Sequence, residues 1–172
     1  MPKASIVHVG VNKRDGFLGP IFGDGTFRFI PIRENYPSEN SWTYDKLGLS
    51  EYIPRAWIYA NYDSEFKTFT WGDYKNKRTF CTRQLLKGDF VFFISSLAYK
   101  SPKAIVRKPW VLDYGMYLIG YFELEEIPQE ENISYPVPSA IKEKYANNAH
   151  VRRDFTKEKL SSFLIFKGSK HS

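Results

Sequence analysis

The chain has 172 residues, 42% hydrophobic and 17% aromatic, enough to bury roughly two thirds of the unfolded surface as one domain over residues 1–172. Its 25 Lys and Arg against 19 Asp and Glu give +6 and a pI near 9.3, which favours an anionic partner. Cys81 is the single cysteine and excludes an internal disulfide, while no apolar run reaches membrane-spanning length, so no membrane partner and a cytoplasmic location are expected.

Residues 4–12 read as a first strand, with Ile6 and His8 on one face and Val7, Val9 and Val11 on the other. Residues 13–25 hold four glycines, Pro20 and Asp24 and form a long loop, whose Phe17, Ile21 and Phe22 are expected to tuck beneath the sheet. Those glycines fit neither the dinucleotide nor the phosphate-loop spacing, so no cofactor is expected. A short strand follows at 26–31, then a polar irregular stretch at 33–55. Strands resume at 56–60 and 66–71. Thr82 caps a helical turn that stops at Gly88.

Leu85-Leu86-Lys87-Gly88-Asp89-Phe90-Val91-Phe92-Phe93-Ile94-Ser95-Ser96 is a turn followed by a buried strand. Tyr117-Leu118-Ile119-Gly120-Tyr121-Phe122-Glu123-Leu124 answers it, and Gly120 inside the run predicts a bulge or a close backbone approach. A basic loop at 98–109 separates the two. Beyond the acidic stretch at 123–131, Ser139 caps a helix with Ile141 and Tyr145 on its buried stripe, and 162–167 forms the last strand. The charge excess is concentrated late: residues 139–172 carry eight basic and three acidic side chains.

The histidines, His8, His150 and His171, and the lone cysteine do not stand at metal-ligand spacing, so no metal is expected. Serine elbows and paired nuclease carboxylates are absent as well. Glu65 with Lys67, and Asp89, are the residues to revisit if the chain is an enzyme. Binding has more support. Trp57 and Trp71 offer planes for stacking on a base, with core packing the ordinary alternative for each, and Trp42 and Trp110 stand next in line. Asn12 and Asn148 carry amides that match a base edge, although capping would equally explain Asn148. His150, Arg152, Arg153 and Lys167, with Lys100 and Lys103 of the basic loop, are the candidate phosphate contacts.

The order of these pieces resembles the PUA-like superfamily of small β-barrels, which includes EVE, YTH and ASCH domains. The opening His8-Val9-Gly10-Val11-Asn12 with Gly19-Pro20-Ile21-Phe22 and Phe29-Ile30-Pro31-Ile32 is similar to the nucleotide-modification-associated domain families. The resemblance implies an α+β fold: a PUA-like mixed barrel of five or six strands with two or three short helices, and a cleft beside residues 139–153. It also implies a non-enzymatic domain that binds DNA or RNA and reads a modified or flipped base. The alternatives are an enzyme acting on nucleotides or nucleic acid, and an interaction domain of a larger defence or modification system. The ending just after a strand leads us to expect the N-terminal part of a longer protein.

Overall fold

The structure is a computed structural model and describes residues 1–74, 81–99, 114–126, 133–153 and 162–172. Its strands are β1 (Ala4–His8), β2 (Gly19–Ile21), β3 (Ile32–Arg33), β4 (Trp42–Thr43), β5 (Tyr59–Asn61), β6 (Thr70–Tyr74), β7 (Phe90–Tyr99), β8 (Tyr114–Glu126) and β9 (Phe163–Gly168). Two short helices, α1 (Ser139–Lys144) and α2 (Ala149–Arg152), precede the last strand. The result is a mostly β structure with a mixed sheet, compatible with the expected α+β class.

The two apolar runs read from the sequence are β7 and β8, and they pair antiparallel along their length. Gly88 takes a left-handed φ of 84° and donates its N–H to Leu124 O at 2.8 Å. Asp89 then accepts from Lys3 N at 2.7 Å and Leu86 N at 2.8 Å, fixing the start of β1 against the turn. The Lys3 amide, ahead of the others, holds this carboxyl below its ordinary range. Gly120 marks the bulge foreseen for it, and what approaches it closely is a side-chain ring rather than another backbone. The register shifts between Phe93 and Ile94 beside it, and a Cβ there would lie 2.7 Å from the Phe66 ring.

The main sheet has six strands in the order β1-β7-β8-β9-β6, with β2 also pairing with β7. A second sheet has the order β3-β5-β4. The expected closed barrel is therefore corrected: among the described residues the main sheet is open between β1 and β6. The backbone gives the reason. Val9 N still bonds to Ile94 O, but Gly10 turns through a φ of 76° and Val11 N bonds to Ile30 O at 2.9 Å. The continuation of β1 thus leaves the main sheet before it can pair with β6.

Other boundaries moved for local reasons. Residues 26–31 form no named strand, only an isolated bridge between Ile21 and Phe27 with a few flanking backbone bonds, and the strand begins at Ile32. The strands expected at 56–60 and 66–71 are displaced to Tyr59–Asn61 and Thr70–Tyr74. Ser139 is the first helical residue with Pro138 at the cap, and the segment at 147–153 begins a second helix. Thr82 likewise lies inside its 3-10 turn, and its hydroxyl donates to Asp73.

The core of the main sheet gathers Val91, Phe93, Phe122, Leu124, Trp71 and Phe166. Phe93 and Phe122 meet edge to face at 4.7 Å, and Trp71 stacks on Phe166 at 4.9 Å. Phe17 and Ile21 are buried as foreseen, Phe17 in a second cluster with Val11, Ile30, Tyr44 and Ala60. Half-buried Trp57 covers that cluster, touching Phe17 and Tyr44. Trp71→Ala is expected to lower stability by about 3–5 kcal/mol in denaturant unfolding, and Trp57→Ala by distinctly less. A Trp71→Ala protein with wild-type stability would remove that tryptophan from the core.

Candidate functional site

The seam between β1 and β6 is not filled. It holds a cavity of about 510 Å³, bounded by residues 8–12 on one side, 71–74 of β6 on the other, and 32–36 beyond β3. Asn61, Asp63, His150 and Arg153 also reach it, so the expected cleft beside residues 139–153 is present. Its volume falls within the roughly 300–1,000 Å³ usual for small-molecule sites.

Local structure explains how each side chain gets there. Asn148 caps α2 by accepting from His150 N at 3.0 Å, which turns the His150 ring inward. The ring lies over Gly72, where a Cβ would come within 2.2 Å of it, and stacks on Phe163 at 5.3 Å. Asp63 accepts from His150 Nε2 at 2.8 Å and from Gly72 N at 2.9 Å. Arg153 donates Nη1 to His150 Nδ1 at 3.3 Å, and an arginine only donates. Nδ1 is therefore the acceptor and Nε2 carries the hydrogen. Burial, reinforced by the Arg153 charge and opposed by Asp63, keeps the imidazole pKa below its ordinary value, consistent with this neutral tautomer.

Arg153 continues the network. Its Nε donates to Glu34 Oε2 at 2.7 Å and its Nη1 to Tyr74 Oη, with both members of the ion pair almost wholly buried. Glu34 in turn accepts from Tyr36 N at 2.9 Å. One chain of bonds therefore joins the loop after β5, α2 and the segment after β3.

Two groups at the cavity remain open to chemistry. Asp73 is only half-buried, yet its carboxyl is pushed up to about 7, first by burial and then by the nearby charge of Asp63. The Thr82 hydroxyl donates to Oδ2 at 3.2 Å and offsets this only in part. Asn61 is 8% exposed, and its amide makes no hydrogen bond with any described residue; Oδ1 is both buried and unpaired. The shifted Asp73 carboxyl and the orphaned Asn61 oxygen single out this cleft as the candidate site.

The candidates taken from the sequence are distributed differently. Asn12 and Trp71 border the cavity, but Asn12 caps a 3-10 turn through Arg14 N at 2.9 Å and Trp71 belongs largely to the core. Trp57 lies in the second cluster, and Asn148 is a fully buried cap. His150 and Arg153 face inward, as described. Arg152 stacks on Trp42 at 4.5 Å and donates to Ala146 O, Asn40 O and Asn147 Oδ1, bordering a separate cleft with Ser38 and Lys142. Lys167 donates to Thr68 O. Lys100, Lys103 and Trp110 lie outside the described residues. Sequence reasoning missed Glu34, Asn61, Asp63 and Asp73; the one local hint was the pairing of Asn61 with Asp63 at a strand end.

Asp73 yields a test of this electrostatic arrangement. An unfolded carboxyl titrates near 3.8, whereas the folded one holds its proton to about 7. Its contribution to stability is therefore complete below about pH 4 and is lost as pH rises toward 7. Asp73→Asn, which needs no proton, should melt at a higher temperature than wild type above pH 7, with the gain vanishing near pH 4. Equal melting at every pH would mean that Asp73 is not strained in the folded protein.

Among the described residues no helix is long and apolar enough to cross a membrane, and no three His, Cys, Asp or Glu side chains gather as a metal would require. No curated protein and no solved structure matches the chain. A family model does, over residues 3–163, described as nucleotide modification associated domain 3. That span takes in β1 to β8, both helices and every wall of the cavity, and the chain accordingly belongs to the nucleotide modification associated domain 3 family, whose name ties it to nucleotide modification.

Proposed function

We propose that this domain binds nucleic acid and takes a single base, modified or flipped from its stack, into the cavity between β1 and β6 without turning it over. The observation that carries this reading is the unpaired Asn61 amide at the wall of a cavity with room for a nucleoside. Trp71 and Tyr74 contribute aromatic surface, and the buried bonds of His150, Asp63, Arg153 and Glu34 hold the walls in place before a ligand arrives. Family membership and the PUA-like resemblance support the same class of partner.

Phosphate contact falls to different cations from those named by the sequence. Arg152 and Arg153 spend their donors internally, whereas Arg33 is exposed at the cavity rim and Lys13 and Arg14 follow Asn12. Arg33 is the best placed of these for the phosphate adjoining a bound base.

A second reading, an acid–base enzyme acting on the bound nucleotide, is favoured by Asp73, whose carboxyl lies near neutrality beside Asp63. Prolonged incubation with labelled DNA, RNA and nucleotides separates the two. Turnover that Asp73→Asn abolishes would replace the binding reading with the enzymatic one.

Exposed Asn35 borders the cavity, so Asn35→Trp should obstruct it without disturbing the core. Oligonucleotide affinity is expected to fall at least about tenfold with melting unchanged. Arg33→Ala should weaken all sequences alike and reduce the slope of log affinity against log salt by roughly 0.7–0.9. Full affinity in a folded Asn35→Trp protein would move binding away from this cavity.

A further inference from the structure

Asp73 and Asn61 line the same cavity, one from β6 and the other from the end of β5. The Asn61 amide has a donor and an acceptor and spends neither on a described residue, while holding a place that is more than nine-tenths buried. A half-turn about χ2 exchanges its two ends, so it can complement either sense of a donor–acceptor pair. Asp73 has Oδ2 engaged by the Thr82 hydroxyl and a further hydrogen bond from its neighbour's backbone, so a carboxyl proton is free to point toward a ligand.

The groups around Asp73 favour that proton. Asp63 is the nearby like charge, and its oxygens are occupied by His150 and Gly72. Arg83 is the cation on the Thr82 side and acts on Asp73 more weakly than burial or Asp63. Across the cavity, Glu34 and Arg153 neutralise each other, His150 is held neutral, and Arg33 is exposed at the rim. His8 bonds to Ser96, and burial keeps its pKa below the ordinary value, so it stays uncharged near neutrality.

Building on the binding reading, we infer that Asn61 and a proton-bearing Asp73 together read the hydrogen-bonding edge of a nucleobase, making base recognition dependent on pH. A carboxylic acid presents a donor beside an acceptor, as an amide does, and both match the paired donor and acceptor on a base edge. Ionised Asp73 would instead turn a second negative charge toward the ring nitrogens and carbonyls. Ribose phosphate without a base offers no such edge and engages the rim alone.

The experiment titrates the whole chain with the four common nucleoside 5′-monophosphates and with ribose 5-phosphate, at about pH 6 and about pH 8.5. At least one nucleotide should bind well above ribose 5-phosphate. Because the free carboxyl titrates near 7, its affinity should fall roughly thirtyfold between the two pH values. Asp73→Asn, which keeps donor and acceptor without a titrating proton, should bind with a flat pH profile. Asn61→Leu should lose at least about tenfold at both pH values while melting no earlier than wild type, since it removes an amide with no internal partner. A flat wild-type profile, a pH fall retained by Asp73→Asn, or full affinity in folded Asn61→Leu would each overturn the inference. Cavity-dependent oligonucleotide binding, blocked by Asn35→Trp, would then leave the broader reading standing. No binding of any nucleotide or oligonucleotide would overturn both.

Discussion

The bond between His150 and Asp63 is the constraint on which the site depends. It spans 87 positions of sequence and ties α2 to the loop between β5 and β6, with the glycine of β6 directly beneath the ring. Only a residue without Cβ leaves space there, so the identity of Gly72 and the position of His150 are one requirement. Removing one partner of a buried polar pair leaves the other desolvated and unsatisfied, which makes such a network an all-or-none support. Arg153 and Glu34 extend it to the segment after β3, and the cavity walls are thereby fixed by bonds rather than by packing alone.

The seam itself follows from one backbone turn. Gly10 directs the chain toward Ile30, so β1 and β6 remain the two ends of an open sheet. Closing the sheet would satisfy their edges and would also fill the space in which Asn61 and Asp73 stand. A cavity with an unpaired amide and a carboxyl whose pKa is pushed up to about 7 is a local departure from maximal stability. The two aromatic cores on either side, around Phe93 with Phe122 and around Tyr44 with Phe17, supply the apolar burial that offsets it.

Net positive charge does not by itself say which way a cationic side chain points. The arginines of the C-terminal region are engaged within the chain: Arg153 is buried against Glu34, and half-buried Arg152 closes a helix end and stacks on Trp42. Their guanidinium forks suit carbonyls and carboxylates as well as phosphates, and only the tertiary fold determines which of these they meet. Arg33, in a two-residue strand with no distinguishing pattern around it, lies exposed at the cavity rim.

Sequence by itself determined the elements whose signal is local. Alternation and bulky apolar runs identified β7, β8 and β9; Gly88-Asp89 marked the turn before β7, and Gly120 marked the bulge opposite it. The opening segment from His8 to Ile32 pointed to the nucleotide-modification-associated families, to one of which the chain belongs, and Asn12, Trp71, His150 and Arg153 were legible as polar or aromatic candidates. Tertiary structure alone decided that the sheet stays open, because strand closure depends on where the chain goes after Gly10, a long-range matter. It alone decided the site as well. Asn61, Asp63 and Asp73 are ordinary polar residues in sequence, and they acquire meaning only when α2 lays His150 against Gly72 and burial changes what their side chains can hold.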